Sequence, residues 1–383
     1  MTYFFIFGSH PELSQAELTS ILTREHFSFS ITSRRENFLL LETTTPLPDK
    51  FLTRLGGAIK YGEIIADSPS DKLQKTLFQI LINHSGTGKI RFGLNAYNRE
   101  TDLTKLGLTI KNALKDSGLT CRFVTSREST LSSVVIHKNK LDQKDGFDFN
   151  LFYLDGRIQI GQTLAVQNFI FYSNIDYKRP AFDDKSGMLP PKVAQIMLNL
   201  LSDKTDSIYD PFCGSGTILM MAGLAGFSNL NGSDLSAKAV DDTITNLDWV
   251  RDRHQLNFTH TVKAADAAAI STNLKPNSIS AIVTEPYLGL ALTGRETPDE
   301  LDHNISDLTQ LYQTVFDQFA SVLKTAGEII LILPEITLPR FRYRFSAENL
   351  IPKSLEILGH WVYSRPGQKV IRHIYKIVKV NKK

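Results

Sequence analysis

The second half of the chain alternates between short apolar runs and longer segments whose apolar residues recur every three or four positions. Short apolar runs are typical of buried strands, and the longer period is typical of helices that bury one face. The predicted strands are 207–211, 229–234, 258–263, 278–284 and 327–333, and the predicted helices are 192–201, 217–226, 236–251 and 306–323. Strands 354–363 and 369–379 follow. This order predicts an α/β fold, in which a doubly wound parallel sheet ends in an antiparallel hairpin.

The first 170 residues have shorter and less regular elements. Residues 1–66 predict a small α+β domain of ferredoxin-like type. Residues 67–170 predict a second α+β domain, in which 132–137 is expected to be a strand. The stretch 171–191 is polar and rich in proline, so it predicts a linker. Residues 192–383 then make up the predicted α/β domain.

Composition narrows the class of protein. Of the 383 residues, 42% are hydrophobic and 22% are charged, which is typical of a globular soluble protein. The formal net charge of +3 permits nucleic-acid binding without indicating it. Cys121 and Cys213 form no metal-ligand spacing, and no metal is expected. Nothing suggests a disulfide framework, so we expect a cytoplasmic protein. No apolar run approaches the roughly 20 residues that cross a membrane, so we expect no membrane partner.

The stretch from Asp210 to Thr217, Asp-Pro-Phe-Cys-Gly-Ser-Gly-Thr, joins a predicted strand to a predicted helix. Glycine in such a turn lets backbone N–H groups and a helix N-terminus approach a ligand closely. A dinucleotide fingerprint would need a third glycine, which is absent after Gly216. Asp210 would repel a phosphate but attract an ammonium group. An ordinary glycine-containing turn is the alternative interpretation.

This stretch resembles motif I of the class I methyltransferases that use S-adenosylmethionine (SAM). Its form is common among enzymes that methylate exocyclic amines of nucleobases. The resemblance implies a Rossmann-like fold and SAM as the cofactor. It also implies that the cofactor is contacted by Asp210, Phe212, Gly214, Gly216 and Thr217.

Two further acidic residues follow predicted strands. Asp234 ends the second strand, where a carboxylate can accept hydrogen bonds from both ribose hydroxyls of an adenosine. Asp266, followed by Ala267, comes just after the third strand, where the resemblance implies that an acidic residue accepts from the adenine amino group. The alternative is structural: Asp234 caps the helix that begins at Ser236, and Asp266 caps an alanine-rich turn.

The stretch Thr284-Glu-Pro-Tyr-Leu-Gly289 follows the fourth predicted strand. In the enzymes that it resembles, an Asp or Asn, two prolines and an aromatic residue stand here. The acidic or amide side chain and a backbone carbonyl accept the two N–H bonds of the target amine, and the aromatic ring stacks on the flipped base. The predicted catalytic residues are therefore Glu285, Pro286 and Tyr287, with Glu in place of the usual Asp and one proline instead of two.

A second alignment of this stretch is open, and so is a structural interpretation. If the loop is shifted by one residue, Thr284 begins the motif and Tyr287 is the stacking aromatic. Glu285 is preferred as the acceptor, because a charged oxygen makes the stronger hydrogen bond. A proline turn that leads into a surface loop is the structural alternative.

Three other stretches extend the resemblance. Residues 179–194 and 363–372 are similar to segments of the archaeal and eukaryotic tRNA guanosine-N2-methyltransferases that act at position 10. Residues 67–170 resemble a THUMP domain, an RNA-binding module, in position and in strand–helix order. From Arg340 onward, 11 basic and two acidic residues are interleaved with aromatic ones, which suits either a polyanion or a solvated surface.

The family resemblance implies methyl transfer from SAM to the N2 amine of a guanosine in tRNA. It also implies tRNA as the partner, with a small activating subunit that some relatives use. One alternative is a methyltransferase that acts on a base amine of rRNA or DNA. The other is a non-catalytic RNA-binding protein that retains the methyltransferase fold.

Overall fold

The computed structural model of the chain describes residues 1–86, 88–182, 188–202, 205 and 207–381. The chain separates into two units. The first comprises Met1–Gln15 and Glu25–Ile170, and the second comprises Ala16–Arg24 and Phe171–Lys383. Part of the predicted linker, 183–187, lies outside the described residues.

The first unit is built on one eight-stranded sheet with the strand order β2-β3-β1-β4-β8-β7-β5-β6. Its strands are β1 (Thr2–Phe7), β2 (Phe29–Arg34), β3 (Phe38–Thr43), β4 (Ala58–Pro69), β5 (Ile90–Tyr97), β6 (Cys121–Val124), β7 (Gly146–Leu154) and β8 (Arg157–Val166). The helices along this part of the chain are α1 (Pro11–Arg24), α2 (Leu73–Ile82), α3 (Thr104–Asp116) and α4 (Ser133–Lys138).

Strand β4 crosses the predicted boundary at residue 66 and pairs with β8, so the two predicted N-terminal domains share one sheet. A buried ion pair lies inside this unit, with Lys60 Nζ 2.9 Å from Asp148 Oδ2. The charged Lys60 is tolerated there because Asn150 also accepts from it, at 3.3 Å. The division into a ferredoxin-like and a THUMP-like domain stays a prediction.

Three local elements differ from the sequence pattern. The predicted strand 132–137 is instead helix α4, because the side chain of Ser132 accepts a hydrogen bond from Val135 N and caps it. Strand β2 is not predicted, since only two of its six residues are apolar. The predicted linker begins with helix α5, Phe169–Tyr177.

The second unit follows the predicted alternation of strands and helices. Its strands are β9 (Ser207–Asp210), β10 (Asn229–Asp234), β11 (Thr259–Ala264), β12 (Ile279–Thr284), β13 (Leu323–Leu338), β14 (Phe341–Arg344), β15 (Leu355–Tyr363) and β16 (Val370–Lys379). After α5, its helices are α6 (Pro191–Asn199), α7 (Thr217–Leu224), α8 (Ala237–His254) and α9 (Pro298–Val322).

The sheet of the second unit has the order β11-β10-β9-β12-β13-β16-β15, and β14 pairs with β13. Strands β9 to β13 along this order are parallel to one another, whereas β16 and β15 are antiparallel. This confirms the predicted doubly wound sheet with a terminal hairpin. The strand order reverses at β9 and β12, which opens a crevice at their carboxyl ends, where ligands bind in folds of this kind.

Helix α9 covers one face of this sheet. Its buried face contributes Tyr312, Phe316 and Phe319 to a core that also contains residues of β13 and β16. Thr297 and Glu300 form a reciprocal capping box that fixes the start of the helix. Within the part of the chain that the structure describes, no helix is long and apolar enough to cross a membrane.

Candidate active site

Four neighbouring parallel strands bring the sequence-predicted residues to one edge of the sheet. Asp210 ends β9, Asp234 ends β10, Asp266 follows β11 and Glu285 follows β12. Because the carboxyl ends of parallel strands share an edge, the fold gathers side chains that are up to 75 residues apart in sequence. The crevice beside β9 and β12 lies between them.

The glycine turn after β9 requires its two glycines for different reasons. Gly214 and Gly216 have φ angles of +52° and +84°, a backbone region that side chains disfavour. A Cβ on Gly216 would come within 3.1 Å of Thr243, whereas one on Gly214 would meet nothing within 4 Å. The position that a Cβ of Gly214 would occupy is therefore open space. A loop that receives a ligand requires such space.

Asp234 holds this turn. One carboxylate oxygen, Oδ2, accepts from Gly214 N at 3.0 Å, and the other, Oδ1, accepts from Ser236 N at 2.9 Å. The cap of α8 is Ser236, whose hydroxyl accepts from Ala239 N. Asp234 is therefore not the helix cap, and its carboxylate keeps acceptor positions for a ligand beside the glycine turn.

Asp266 does have the structural role that the sequence left open. It is the N-cap of the short 3-10 helix Ala267–Thr272, and its Oδ1 accepts from Ala268 N at 2.9 Å. The side chain is exposed, and within the described residues only Oδ1 is engaged. Ala267 itself is buried. Capping and ligand binding remain compatible here, because a carboxylate has two oxygens.

Asp210 is buried and links two strands. Its Oδ1 accepts from Thr284 Oγ1 at 2.7 Å and from Phe212 N at 3.2 Å. Burial raises the pKa of Asp210 to about 7, and the negative charges of Asp234 and Glu285 act in the same direction, against these hydrogen bonds. The group is consequently poised to respond to a cation that binds beside it.

Glu285 has a partner that the sequence analysis missed. Its Oε1 accepts a charge-assisted hydrogen bond from Arg372 Nε of β16 at 2.6 Å, and both side chains are largely buried. Burial raises the pKa of Glu285, and the charge and hydrogen bond of Arg372 oppose that rise. Arg372 stands 87 residues later, so only the strand pairing of β13 with β16 reveals the contact.

The rest of this loop is fixed as well. Pro286 is buried, and the backbone carbonyl of Tyr287 accepts from Tyr312 Oη at 2.7 Å. The side chain of Tyr287 is 52% exposed, so its ring is presented to solvent from a fixed backbone. Thr284 is buried and donates its hydroxyl proton to Asp210. That commitment favours Glu285 over Thr284 as the acceptor for a substrate.

Arg179 supports the first turn of α7. Its Nη1 donates to Thr217 Oγ1 at 2.8 Å and lies 3.4 Å from Ser215 Oγ. The guanidinium is buried, and its Nη2 is 3.5 Å from Asp176 Oδ1. Sequence resemblance pointed to the stretch that begins at Arg179, but not to this contact with the glycine turn.

The sequence of this unit matches a known protein family. Residues 178–347 match the family UPF0020, described as an RMKL-like methyltransferase domain. This part of the chain is a methyltransferase domain. The matched residues include the glycine turn, the three aspartates and Glu285.

Curated relatives and solved structures agree with the methyltransferase domain. The chain is 27% identical over 330 residues to a tRNA (guanine(10)-N2)-dimethyltransferase of Methanothermobacter thermautotrophicus, covering 85% of this chain and 86% of that one. It is 28% identical over 199 residues to the enzyme of the same name from Methanocaldococcus jannaschii, covering 51% and 47% of the two chains.

Two solved structures share the fold of the whole chain. TrmN from Thermus thermophilus has a TM-score of 0.58 at 15% identity, over 99% of this chain and 100% of that one. A possible methylase from Clostridium difficile has a TM-score of 0.54 at 13% identity, over 100% and 98%. The predicted fold class is thus confirmed: a methyltransferase-type α/β domain is preceded by an N-terminal α+β region.

Proposed function

We propose that this chain transfers a methyl group from SAM to the exocyclic N2 amine of a guanosine in tRNA, at position 10. The observation that carries the proposal is the arrangement of Asp210, Asp234 and Glu285 around one crevice of a methyltransferase domain. The names of the relatives, tRNA (guanine(10)-N2)-dimethyltransferase, support the substrate and the reacting amine.

The donor set at β9, β10 and β11 fits SAM. Gly214 leaves open space beside the backbone of the turn. Buried Asp210 attracts the ammonium group of the methionine part, and Asp234 accepts from the ribose hydroxyls. Asp266 accepts from the adenine amino group through its unengaged oxygen, beside Ala267. Phe212, Gly216 and Thr217 complete the predicted cofactor contacts.

The loop after β12 fits a nucleobase amine. Glu285 Oε2 and the carbonyl of Pro286 accept the two N–H bonds of the amine, while Arg372 holds Oε1. This orients the nitrogen lone pair and favours its release from the ring. The Tyr287 ring stacks on the flipped base. Bound SAM supplies a sulfonium-activated methyl group, so orientation is the main requirement for transfer.

Arg372 also determines what happens to the amine proton. The N2 nitrogen becomes cationic when it is methylated and then loses one proton. Burial raises the pKa of Glu285, so the carboxylate can take up that proton; it then passes the proton to water and returns to the ionised state that Arg372 stabilises. The residue therefore acts first as an orienting acceptor.

The first unit completes the proposed enzyme. Residues 67–170 form a THUMP-like RNA-binding domain after an N-terminal domain at 1–66, and 171–191 connects them to the catalytic domain at 192–383. A small activating subunit is a further partner to be tested, and the cytoplasm is the expected compartment.

The test is a nucleoside analysis. Purified protein is incubated with labelled SAM and an unmodified tRNA transcript, and the digested RNA is examined for N2-methylguanosine and N2,N2-dimethylguanosine. We expect one of these products from the wild type and none from Glu285→Ala. Label in another nucleoside would assign a different target, and rRNA and DNA are tested beside tRNA.

Calorimetry with SAM distinguishes between two reasons why no nucleic acid would be labelled. If SAM binds but no nucleic acid is labelled, the assay is repeated with a candidate activating subunit. Absence of both SAM binding and label would overturn the proposal in favour of a non-catalytic RNA-binding protein.

A further inference from the structure

The sheet of the methyltransferase domain continues well beyond its catalytic edge. Leu331 of β13 lies opposite Thr284, and β13 runs on for seven residues to Leu338 before it turns into β14. At roughly 3.3 Å per residue, this hairpin end lies about 23 Å past the end of β12. The second hairpin ends beside it, because β16 begins opposite Ile336 of β13.

These two hairpin ends are strongly basic. Segments 334–344 and 363–372 contain six basic residues and one acidic residue. Arg372 is buried against Glu285, and Lys369 Nζ donates to the carbonyl of Leu292 at 2.9 Å. The other four are exposed, and we call them the tip surface: Arg340, Arg342, Arg344 and Arg365.

The only acidic residue of these segments orients one of the arginines. Glu335 is buried, and its Oε1 accepts from Arg342 Nε at 2.6 Å. Its Oε2 lies 3.0 Å from His373 Nε2. Burial acts to raise the pKa of Glu335, but the hydrogen bonds from Arg342 and His373 outweigh it and lower the pKa. A buried carboxylate thus holds Arg342 in place at its Nε.

The terminal groups of these arginines are available. Within the described residues, the Arg342 Nη atoms have no hydrogen-bond partner, and the side chains of Arg340 and Arg344 take part in no hydrogen bond or ion pair. The Arg365 Nε donates to Tyr363 Oη at 2.9 Å, and its guanidinium lies over the Tyr363 ring. Within the described residues, its Nη atoms have no hydrogen-bond partner. An arginine whose Nε is fixed and whose Nη pair is free presents a preorganised fork to an anion.

The spacing of these side chains is regular. Arg342 and Arg344 alternate with Phe341 and Tyr343 on β14, so they share one face and lie about 7 Å apart. This is close to the separation of successive phosphates in a nucleic-acid strand. Phe341 and Tyr343 are followed at the next alternate position by Phe345, which is buried against Tyr312 and fixes this end of the strand.

We propose that the tip surface binds phosphates of the RNA strand that flanks the target nucleoside. The proposal rests on the proposed function for the identity of the polyanion as RNA. An RNA whose base enters the crevice beside Glu285 must continue past the edge of the sheet, where the two hairpin ends project. Arginine forks match phosphate oxygens, and counterion release adds to the affinity.

The experiment measures binding of a labelled, unmodified tRNA transcript to full-length protein over a series of salt concentrations. The test variant is Arg340→Gln with Arg344→Gln, because both side chains are exposed and neither makes a hydrogen bond or ion pair within the described residues. The control is Arg253→Gln with Lys275→Gln, two exposed cations at the opposite edge of the sheet. Both pairs remove two positive charges, so they change the net charge equally.

We expect the test variant to bind the transcript roughly tenfold more weakly at low salt. The slope of log affinity against log salt should fall by about 1 to 2, as expected for two lost phosphate contacts. The control should keep the wild-type affinity and slope, and both variants should bind SAM as the wild type does.

Equal affinities and slopes for the test and control variants would overturn the proposal, and so would a wild-type protein that binds no transcript. The readout does not use methyl transfer. If the protein neither binds SAM nor forms N2-methylguanosine while the test variant still loses RNA affinity, the proposed function fails and the assignment of the tip surface as a phosphate-binding site stands.

Discussion

The glycine turn after β9 and the loop after β12 lie at the same edge of one sheet, yet they are held in different ways. The glycine turn is fixed mainly through its backbone, by Asp234 at Gly214 N and by Thr243 Oγ1, which donates to the carbonyl of Gly214 at 2.7 Å. The loop after β12 is fixed by distant side chains, chiefly Arg372 at Glu285 and Lys369 at the carbonyl of Leu292.

This difference indicates that the glycine turn and the loop after β12 have separate roles. A turn held by the neighbouring strand and helix can keep one shape for a cofactor that does not change. A loop held by the terminal hairpin depends on residues that can vary without disturbing the cofactor site. Substitutions in the hairpin should therefore change the handling of the target base while leaving SAM affinity intact.

The largest effect is expected at Glu285. Glu285→Gln keeps the shape but loses the charged acceptor and the ion pair, so kcat for tRNA methylation should fall roughly 10²-fold or more. SAM affinity by calorimetry should be unchanged. Glu356→Gln, at an exposed carboxylate of β15, is the matched control and should have wild-type kcat. A Glu285→Gln enzyme with normal kcat would remove this residue from the mechanism.

The complementary effect is expected at Asp234. Asp234→Asn loses charge-assisted hydrogen bonds worth about 1.5–3 kcal/mol, so SAM should bind roughly tenfold to 100-fold more weakly. Affinity for a tRNA transcript should stay at the wild-type value. Asp252→Asn, at an exposed position of α8, serves as the control. Normal SAM affinity in Asp234→Asn would show that the carboxylate only braces the glycine turn.

The same contrast explains what the sequence could predict. Asp210, the glycines and Asp234 follow buried strands at short range, so local pattern and turn chemistry were sufficient to place them at one edge. The Arg372–Glu285 pair depends on the register between β13 and β16, which hydrophobic periodicity does not specify. The extension of β13 to Leu338 was also missed, because Pro334 and Glu335 interrupt its apolar pattern.

In the first unit, a local hydrogen bond decided the structure against the prediction from the apolar pattern. Ser132 begins a helix where the apolar Val134, Val135 and Ile136 favoured a strand, and its cap decided the outcome. The sheet that joins residues on both sides of position 66 depends on β4–β8 pairing across about 90 residues. Such long-range pairing leaves no short-range signal in the sequence.

A smaller effect is expected at Arg372, and it is seen best in the pH profile. Without Arg372, nothing opposes the rise in the pKa of Glu285 that burial causes. The fall of kcat on the acid side of the pH profile, which we call the acid limb, should therefore move to higher pH. Arg372→Gln should lower kcat roughly tenfold near neutral pH and recover partly at higher pH.

Arg372→Lys should shift the limb less, because it retains a positive charge without the fixed guanidinium geometry. A purely structural role would lower the melting temperature of both variants and leave the limb in place. Unchanged SAM affinity in both variants would confirm that the hairpin serves the target side alone.

The smallest effect concerns Asp210, the residue that joins the two sides through Thr284. Its pKa in the folded protein is about 7, above the usual 3.8, so the folded state holds a proton that the unfolded chain releases. The free energy of unfolding should therefore fall as pH rises from about 4 to 7. SAM affinity should move the other way, since its ammonium group needs the ionised carboxylate.

Raising the pH from about 6 to 7 increases the ionised fraction of Asp210 about fivefold, so SAM affinity should rise by a similar factor. Asp210→Asn cannot ionise and should bind SAM weakly at both pH values with no such rise. Calorimetric titrations of the two proteins at each pH check this. If SAM affinity changes equally with pH in both proteins, a group other than Asp210 governs the pH dependence of SAM binding. The hydrogen bond by which Thr284 joins Asp210 to the β12 loop would then have only a structural role.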